Sequence, residues 1–140
     1  ISKAAELAGS SSIVVSLDIN IDKFGKYYIT KFSGTHKVRI DPFQYFEELV
    51  RKGAGEIIIN CIHRDGMMNG YDLKIIKKIS SLISIPIIIV GGAGNLLHLK
   101  EGIEAGASAV GGGSFFVLFG KHKAVLITYP SLEELNSLYI

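Results

Sequence analysis

The stretch Ile57-Ile58-Ile59-Asn60-Cys61-Ile62-His63-Arg64-Asp65-Gly66 decides how the fold is interpreted. Its first half is an apolar run typical of a strand buried on both faces, and its charges come only at the C-terminal end. Strands of this kind belong to parallel α/β sheets. In such folds the C-terminal ends of the strands carry the functional residues. Asp65 is therefore the first candidate for a functional side chain.

Short apolar runs of the same kind predict three further strands. These three strands cover residues 13–18, 87–90 and 107–110, and the strand that contains the opening stretch covers residues 56–62. Between them, capping residues and a helical spacing of apolar residues predict helices. The helices begin after Asp41, Asp72 and Asn95, and a short one begins at Phe115. Strands that alternate with helices imply a parallel sheet with right-handed crossovers.

Four such units are half of a (β/α)8 barrel, and an open four-stranded sheet is the alternative. Residues 26–32 and 35–38 flank a turn at Gly34, which predicts a β-hairpin inserted after the first strand. The chain opens on Ile1 and not on Met. We therefore expect a single half-barrel domain over residues 1–140, cut from a chain of about 250 residues. A half-barrel has two bare strand edges, so the missing half or a homodimer partner is expected to cover them.

The end of the chain departs from this alternation. Residues 124–129 are apolar and fit either a buried strand or a loop. Ser131 and Glu134 have the spacing of a capping box, which predicts a last helix from Leu132 to about Tyr139.

The composition is that of a globular protein, with 48% hydrophobic residues, 20% charged residues and a net charge of +2. The basic residues are scattered, which excludes the basic stripe of a nucleic-acid-binding protein. No run reaches the roughly 18 apolar residues of a membrane-spanning helix. The single cysteine, Cys61, excludes an internal disulfide and fits a reducing compartment, so we expect a cytoplasmic protein.

The candidate site lies where the four strands end, because in a barrel these ends share one mouth. Two strands end in Asp18 and Asp65, whose carboxylates suit proton transfer, with a turn or capping role as the alternative. The other two strands run into the glycine-rich turns 91–94 and 111–114. Such turns at helix N-termini suit a phosphate, although they also occur simply as tight turns. Phosphate sites recur after strands seven and eight of barrels, which would make the four strands here numbers five to eight.

Other reactive side chains fit structural roles better. His63 fits a residue that pairs with a neighbouring carboxylate more readily than a general base. Cys61 lies in an apolar strand and fits an inert buried thiol. The spacing of His, Cys and carboxylate residues predicts no metal site, and we expect no cofactor.

Six motifs follow one another along the chain: Gly53-Ala54-Gly55-Glu56-Ile57, Ile62-His63-Arg64-Asp65-Gly66, Gly70-Tyr71-Asp72, Ile85-Pro86-Ile87-Ile88, Gly91-Gly92-Ala93-Gly94 and Gly113-Ser114-Phe115-Phe116. In this order they resemble the C-terminal half of the cyclase subunit of imidazole glycerol phosphate synthase. The similarity runs from about residue 1 to about residue 120. It implies a (β/α)8 barrel whose first four units are absent here.

The resemblance also implies an ammonia-dependent synthase of the lyase type, which as an isolated half would be inactive. A partner glutaminase makes the ammonia, which travels through the barrel core to a substrate with two phosphates. Asp18 matches a catalytic acid/base, and Asp65 matches an aspartate that supports it. The second catalytic aspartate of the family lies on its first strand, which this chain lacks. The residues expected to hold one phosphate are Gly91, Gly92, Gly94, Gly113 and Ser114.

Three features depart from the family pattern. The family usually has Asp where His63 stands and Thr where Met67 stands. Residues 116–130 resemble instead the tail of a paralogue found with surface-polysaccharide genes. That paralogue is thought to place an acetamidino group on a sugar, together with a glutaminase-like partner and a separate amidotransferase, and we favour this subtype. The alternatives are the true cyclase of histidine biosynthesis and a non-catalytic module that docks the glutaminase and conducts ammonia.

Overall fold

The structure, a computed structural model, describes residues 1–138. Over these residues the α-helices are α1 (Ser2–Ala8), α2 (Pro42–Arg51), α3 (Leu73–Ser80), α4 (Leu96–Glu104), α5 (Gly113–Val117) and α6 (Leu132–Ser137). The strands are β1 (Val14–Ile21), β2 (Tyr27–Lys31), β3 (His36–Lys37), β4 (Glu56–Cys61), β5 (Ile87–Val90), β6 (Ala109–Gly111), β7 (Leu118–Phe119) and β8 (Ala124–Val125). None of these helices is long and apolar enough to cross a membrane.

The main sheet has the strand order β3-β2-β1-β4-β5-β6. Within it, β1, β4, β5 and β6 are parallel and follow one another in chain order. A doubly wound open sheet reverses its strand order at a switch point and carries helices on both faces. The sequential order seen here is instead that of consecutive units of a (β/α)8 barrel.

Only one face of the parallel strands is covered. Ile57, Ile59, Ile87 and Ile89 are at most 2% exposed, and they share one core with the apolar side chains of α2 and α3. Successive side chains of a strand point to opposite faces. The residues between them therefore form a second face, which we call the inner face and which is half-exposed or exposed. It consists of Ser16, Asp18, Ile58, Asn60, Ile88, Val90, Ala109 and Gly111.

The hairpin of β2 and β3 extends this sheet beyond its parallel part. β2 pairs antiparallel with β1 from Asp18 to Ile21, so β1 continues three residues past the predicted end at Asp18. Asp18 is therefore not the last residue of its strand. At Asp18, β1 gains β2 as a second neighbour besides β4. The preceding residues of β1, Val14–Leu17, pair only with β4 among the described residues.

The predicted starts of α2, α3, α4 and α6 are confirmed, whereas α5 begins at Gly113, two residues before the predicted Phe115. Asp41 accepts hydrogen bonds from the N–H groups of Phe43 and Gln44, and it is followed by Pro42 as the first helical residue. Asp72 and Asn95 cap α3 and α4 in the same way, and Ser131 and Glu134 form the predicted capping box of α6. Each cap satisfies N–H groups that have no partner inside the helix.

The predictions for strand ends and for the tail are less accurate. β4 ends at Cys61 because Ile62–Arg64 turn into a 3-10 helix, and β6 covers Ala109–Gly111 instead of 107–110. A buried strand at 124–129 is wrong, since these residues are all exposed and only Ala124–Val125 pair, with β7. The last helix ends at Ser137, and Tyr139, where its end was predicted, lies outside the described residues.

Gly102 tests how closely α4 lies against the sheet. A Cβ atom there would lie 2.7 Å from Val110 Cγ1 and 3.0 Å from the Tyr71 ring. Alanine favours a helix by about 1 kcal/mol over glycine, but overpacking a core costs about 1–3 kcal/mol. We predict that Gly102→Ala lowers the free energy of unfolding, measured by urea denaturation.

Glu104→Ala in the same helix is the control, because Glu104 is exposed and carries only a weak ion pair with Lys100. If Gly102→Ala is as stable as Glu104→Ala or more stable, the close approach of α4 to β6 is wrong.

Candidate functional site

A row of four residues crosses the inner face at the C-terminal end of the parallel strands. Asp18, Asn60, Val90 and Gly111 are in register with one another on β1, β4, β5 and β6. The glycine turns follow directly after Val90 and Gly111. The row therefore brings the carboxylate of Asp18 to the same end of the sheet as both turns.

The carboxylate of Asp18 is held by the neighbouring strand. Asn60 Nδ2 donates a hydrogen bond to Asp18 Oδ1 at 2.9 Å, and both side chains are half-buried. Asp18 also lines a cleft of about 410 Å³ with Thr30 and Lys31 of the hairpin. A carboxylate at such a cleft suits proton transfer to or from a bound substrate.

Asp65 lies just after the 3-10 turn Ile62–Arg64, which packs against β1. Its backbone N–H donates to the carbonyls of Cys61 and Ile62, both at 3.1 Å. These bonds fix its backbone, while its side chain is exposed and makes no hydrogen bond within residues 1–138. Asp18 and Asp65 therefore share one end of the sheet, and their carboxylates are not hydrogen-bonded to each other.

A hydrogen-bond network centred on the buried Asp72 lies next to this end of the sheet. His63 Nε2 lies 3.0 Å from Asp72 Oδ2, and Tyr27 donates its hydroxyl to both Asp72 oxygens at 2.9 and 3.0 Å. Asp72, only 6% exposed, also caps α3. Desolvation, and then the Asp72 carboxylate, raise the pKa of Tyr27 well above its usual range. The predicted pairing of His63 with a carboxylate is confirmed, and the network joins the hairpin to α3.

The turn Gly91–Gly94 is shaped by its contact with the loop at 66–70. Gly70 N–H donates to Gly92 O at 2.8 Å. A Cβ at Gly92 would lie 2.3 Å from Gly70 O, and one at Gly94 would lie 2.1 Å from Met68 O. In addition, Gly94 N–H donates to His98 Nδ1 at 3.1 Å. Close backbone packing therefore explains why these positions are glycine, whether or not an anion binds there.

The second turn is open at Gly113, whereas a Cβ at Gly112 would lie 2.9 Å from Ala93 Cβ. No atom lies within 4 Å of the position that a Cβ would take at Gly113, and Gly113 and Ser114 form the first turn of α5. Within the described residues, no side chain caps this turn. Gly113 and Ser114 are thus the members of the predicted set whose N–H groups an anion can approach most easily.

Two of these contacts were not predicted from the sequence. Asn60 had no assigned role, although a polar residue in an otherwise apolar strand, level with Asp18, was the available signal. Tyr27 was assigned only to the hairpin, because its distance from Asp72 in sequence hides their contact. Cys61, by contrast, is the predicted inert thiol: it is fully buried, and desolvation raises its pKa to about 12.

Fold and site together define an α/β protein with its polar residues at the C-terminal ends of sequential parallel strands, the position of active sites in (β/α)8 barrels. The chain belongs to the family described as histidine biosynthesis protein, whose profile matches residues 1–123.

Relatives extend the comparison. The chain is 41% identical over 141 residues to a putative imidazole glycerol phosphate synthase subunit HisF of Leptospira interrogans, covering 99% of this chain and 56% of that protein. A putative subunit hisF3 of Vibrio vulnificus is 41% identical over 96% of this chain and 52% of its own length. The imidazole glycerol phosphate synthase subunit HisF of Chloroherpeton thalassium is 41% identical over 76% of this chain and 42% of its own length. The chain spans about half the length of these relatives.

Tyr27→Phe tests the network around Asp72. The variant removes a donor to a buried carboxylate, which costs about 1.5–3 kcal/mol of the free energy of unfolding. The folded-state pKa of Tyr27 lies above the unfolded value of 10.0, so its stabilising effect is complete below pH 10 and is lost as pH rises through the folded-state pKa. We predict that the free energy of unfolding of wild type exceeds that of Tyr27→Phe by the largest amount below pH 10, and that this difference shrinks above pH 10. Urea denaturation at each pH measures it.

Tyr28→Phe on the same strand is the matched control, since its hydroxyl makes no hydrogen bond within residues 1–138. A Tyr27→Phe protein as stable as Tyr28→Phe at pH 8 would show that the network contributes nothing.

Proposed function

We propose that the chain forms strands five to eight of a (β/α)8 barrel and belongs to a cyclase-type subunit of the imidazole glycerol phosphate synthase kind. The observation that carries the proposal is the placement of Asp18, held by Asn60, at the end of the parallel strands and level with both glycine turns. The named relatives support the same reaction class.

In this proposal the nucleophile is ammonia from a partner glutaminase. Ammonia that attacks a carbon atom must lose a proton, and a carboxylate near the reacting atoms can accept it. Asp18 has this role, because one of its oxygens is engaged by Asn60 and the other is available. Asp65 assists from the adjacent loop, where its side chain is exposed to a bound substrate.

The inner face supports a path for ammonia. Glu56 lies level with Val14 at the far end of the sheet, and the next row consists of Ser16, Ile58, Ile88 and Ala109. Ile58, Ile88 and Ala109 of this row are apolar, and Ser16 is small and uncharged. A small neutral molecule can pass such a row, whereas ions are held back by the cost of losing their hydration. Polar residues at both ends of the path suit entry and reaction.

The substrate of this proposal carries phosphate. Gly91, Gly92, Gly94, Gly113 and Ser114 are the proposed phosphate residues, and they form the two turns next to the row of Asp18. Gly113 and Ser114 are the best supported, because their turn is open. Gly94 is less well supported as a direct contact, since its N–H already donates to His98.

The favoured subtype is amidation of a sugar in polysaccharide biosynthesis. The resemblance of residues 116–130 to the tail of the polysaccharide-associated paralogue supports this subtype. Two putative subunits match 96–99% of the chain, whereas the Chloroherpeton subunit matches 76%. About a quarter of the chain therefore lies outside the latter alignment. The true cyclase of histidine biosynthesis remains the second candidate, since three quarters of the chain, with 41% identity, align with that subunit.

Asp18→Asn distinguishes an enzyme from a module that only docks a glutaminase. The variant should be studied in a complete barrel, made by producing this chain together with the half of the Leptospira interrogans relative that it does not match. We predict loss of ammonia-dependent turnover of the cyclase substrate by at least about 100-fold, the usual contribution of an acid/base group.

Asp22→Asn is the control, because the Asp22 side chain bonds only to backbone N–H groups of its own turn. Equal turnover of the Asp18→Asn and Asp22→Asn proteins would contradict an acid/base role. No turnover by wild type, with stimulation of the glutaminase preserved in Asp18→Asn, would favour the docking module or the sugar-amidating subtype over the cyclase.

The open strand edges predict association. Within the described residues, no strand pairs with the side of β1 opposite β4 at Val14–Leu17 or with the side of β6 opposite β5. The inner face also exposes apolar atoms to water. Such edges pair readily with other strands. We predict that the purified chain sediments as a dimer or larger species and forms a one-to-one complex when the complementary half is added. A stable monomer at high concentration that does not bind the complementary half would contradict the predicted association.

A further inference from the structure

We propose that Asn60 is a positioning residue that fixes the carboxylate of Asp18 for proton transfer. The proposal rests on the proposed function, in which Asp18 is the acid/base. It assigns to Asn60 a role that acts through Asp18 and not through direct contact with the substrate.

The contact is built into the sheet. Asp18 and Asn60 are directly level, with Leu17 level with Ile59 and Ile19 level with Cys61 on either side. Ile19, Ile59 and Cys61 are fully buried, so the two backbones are held rigidly where the contact forms. Asn60 Nδ2 and Asp18 Oδ1 lie 2.9 Å apart, which is ideal for a hydrogen bond to a charged acceptor.

Asn60 stands out among its neighbours. The preceding residues of β4, from Ile57 to Ile59, are apolar, and the adjacent residue of the same row is Val90. A half-buried amide gains nothing from apolar surroundings and needs a polar partner. Within the described residues, Asp18 is the partner that it has.

The chemistry of the two groups fixes their orientation. An ionised carboxylate only accepts hydrogen bonds, so Asn60 must present its NH2 group to Asp18 and leave its own oxygen as an acceptor. One oxygen of Asp18 is then occupied and its side-chain rotamer is held. The second oxygen makes no hydrogen bond within residues 1–138 and is available to a reacting group. Holding an acid/base group in a single orientation in this way increases the rate of proton transfer.

The test compares variants in the complete barrel described above. Asn60→Leu keeps the approximate shape and removes the donor, while Asn60→Thr keeps a hydroxyl donor. The free energy of a hydrogen bond to a charged group corresponds to a change of about 10- to 100-fold in a rate or equilibrium constant. We predict that kcat falls by this factor in Asn60→Leu while KM for the phosphorylated substrate is unchanged, and that Asn60→Thr recovers part of kcat.

Asn20→Leu is the matched control. Asn20 lies on the strand of Asp18, two residues further on, and its side chain accepts only from the N–H of Ile21. Equal kcat for Asn60→Leu and Asn20→Leu, or a change in KM alone, would overturn the proposal.

A second measurement does not depend on turnover and separates the two proposals. In the 15N-labelled 140-residue chain, the side-chain amide of Asn60 should show slowed hydrogen exchange that is lost in Asp18→Ala, whereas the amide of Asn20 should not change. If Asn60 exchanges like Asn20 in wild type, the proposal fails even when the enzyme is active. If the exchange behaves as predicted but wild type does not turn over the cyclase substrate, the cyclase role fails and the contact between Asn60 and Asp18 stands.

Discussion

The constraint on which the structure depends is the one-sided burial of four parallel strands. Ile57, Ile59, Ile87 and Ile89 seal the face that carries the helices, and the alternation of side chains then forces the remaining residues onto the inner face. That face has no helix within the described residues. Its polar residues are free for chemistry because the outer face alone supplies the core. The same division leaves the inner face and two strand edges uncovered within the described residues.

The hairpin and the buried Asp72 connect the site to this core. β2 pairs with β1 from Asp18 onwards, which places the hairpin beside the candidate acid/base. Tyr27 then anchors the hairpin to Asp72, and His63 binds the same carboxylate from the turn that precedes Asp65. One carboxylate thus fixes the base of the hairpin, the start of α3 and the turn leading to Asp65. Its own burial makes these bonds stronger than they would be in water.

Local signals in the sequence predict the βα units and the caps of α2, α3, α4 and α6, but they end β1 too early, at Asp18, and carry β4 past its end at Cys61. Caps such as Asp41 and Asn95 depend on three or four adjacent residues, so a short pattern specifies them. The Tyr27–Asp72 contact joins residues that lie 45 positions apart, which no local pattern encodes. The extension of β1 to Ile21 comes from its pairing with β2, which the apolar run at 13–18 does not show by itself. In the tail, apolar residues such as Leu126 and Ile127 fit both a buried strand and a loop, so the sequence alone does not choose; they are exposed in the structure, which favours the loop.

The open edge and the candidate site are parts of one feature. β1 has a neighbour on both sides only from Asp18 onwards, so the uncovered edge at Val14–Leu17 ends where the row of Asp18 begins. A strand added parallel along this edge would end beside Asp18, on the side opposite Asn60. Closing the sheet would therefore cover the backbone groups of β1 and also bring a new strand end to the carboxylate. In the proposed barrel, stability and activity would then depend on the same contact at the edge of β1, whereas the helix caps and the packed outer face form within residues 1–138.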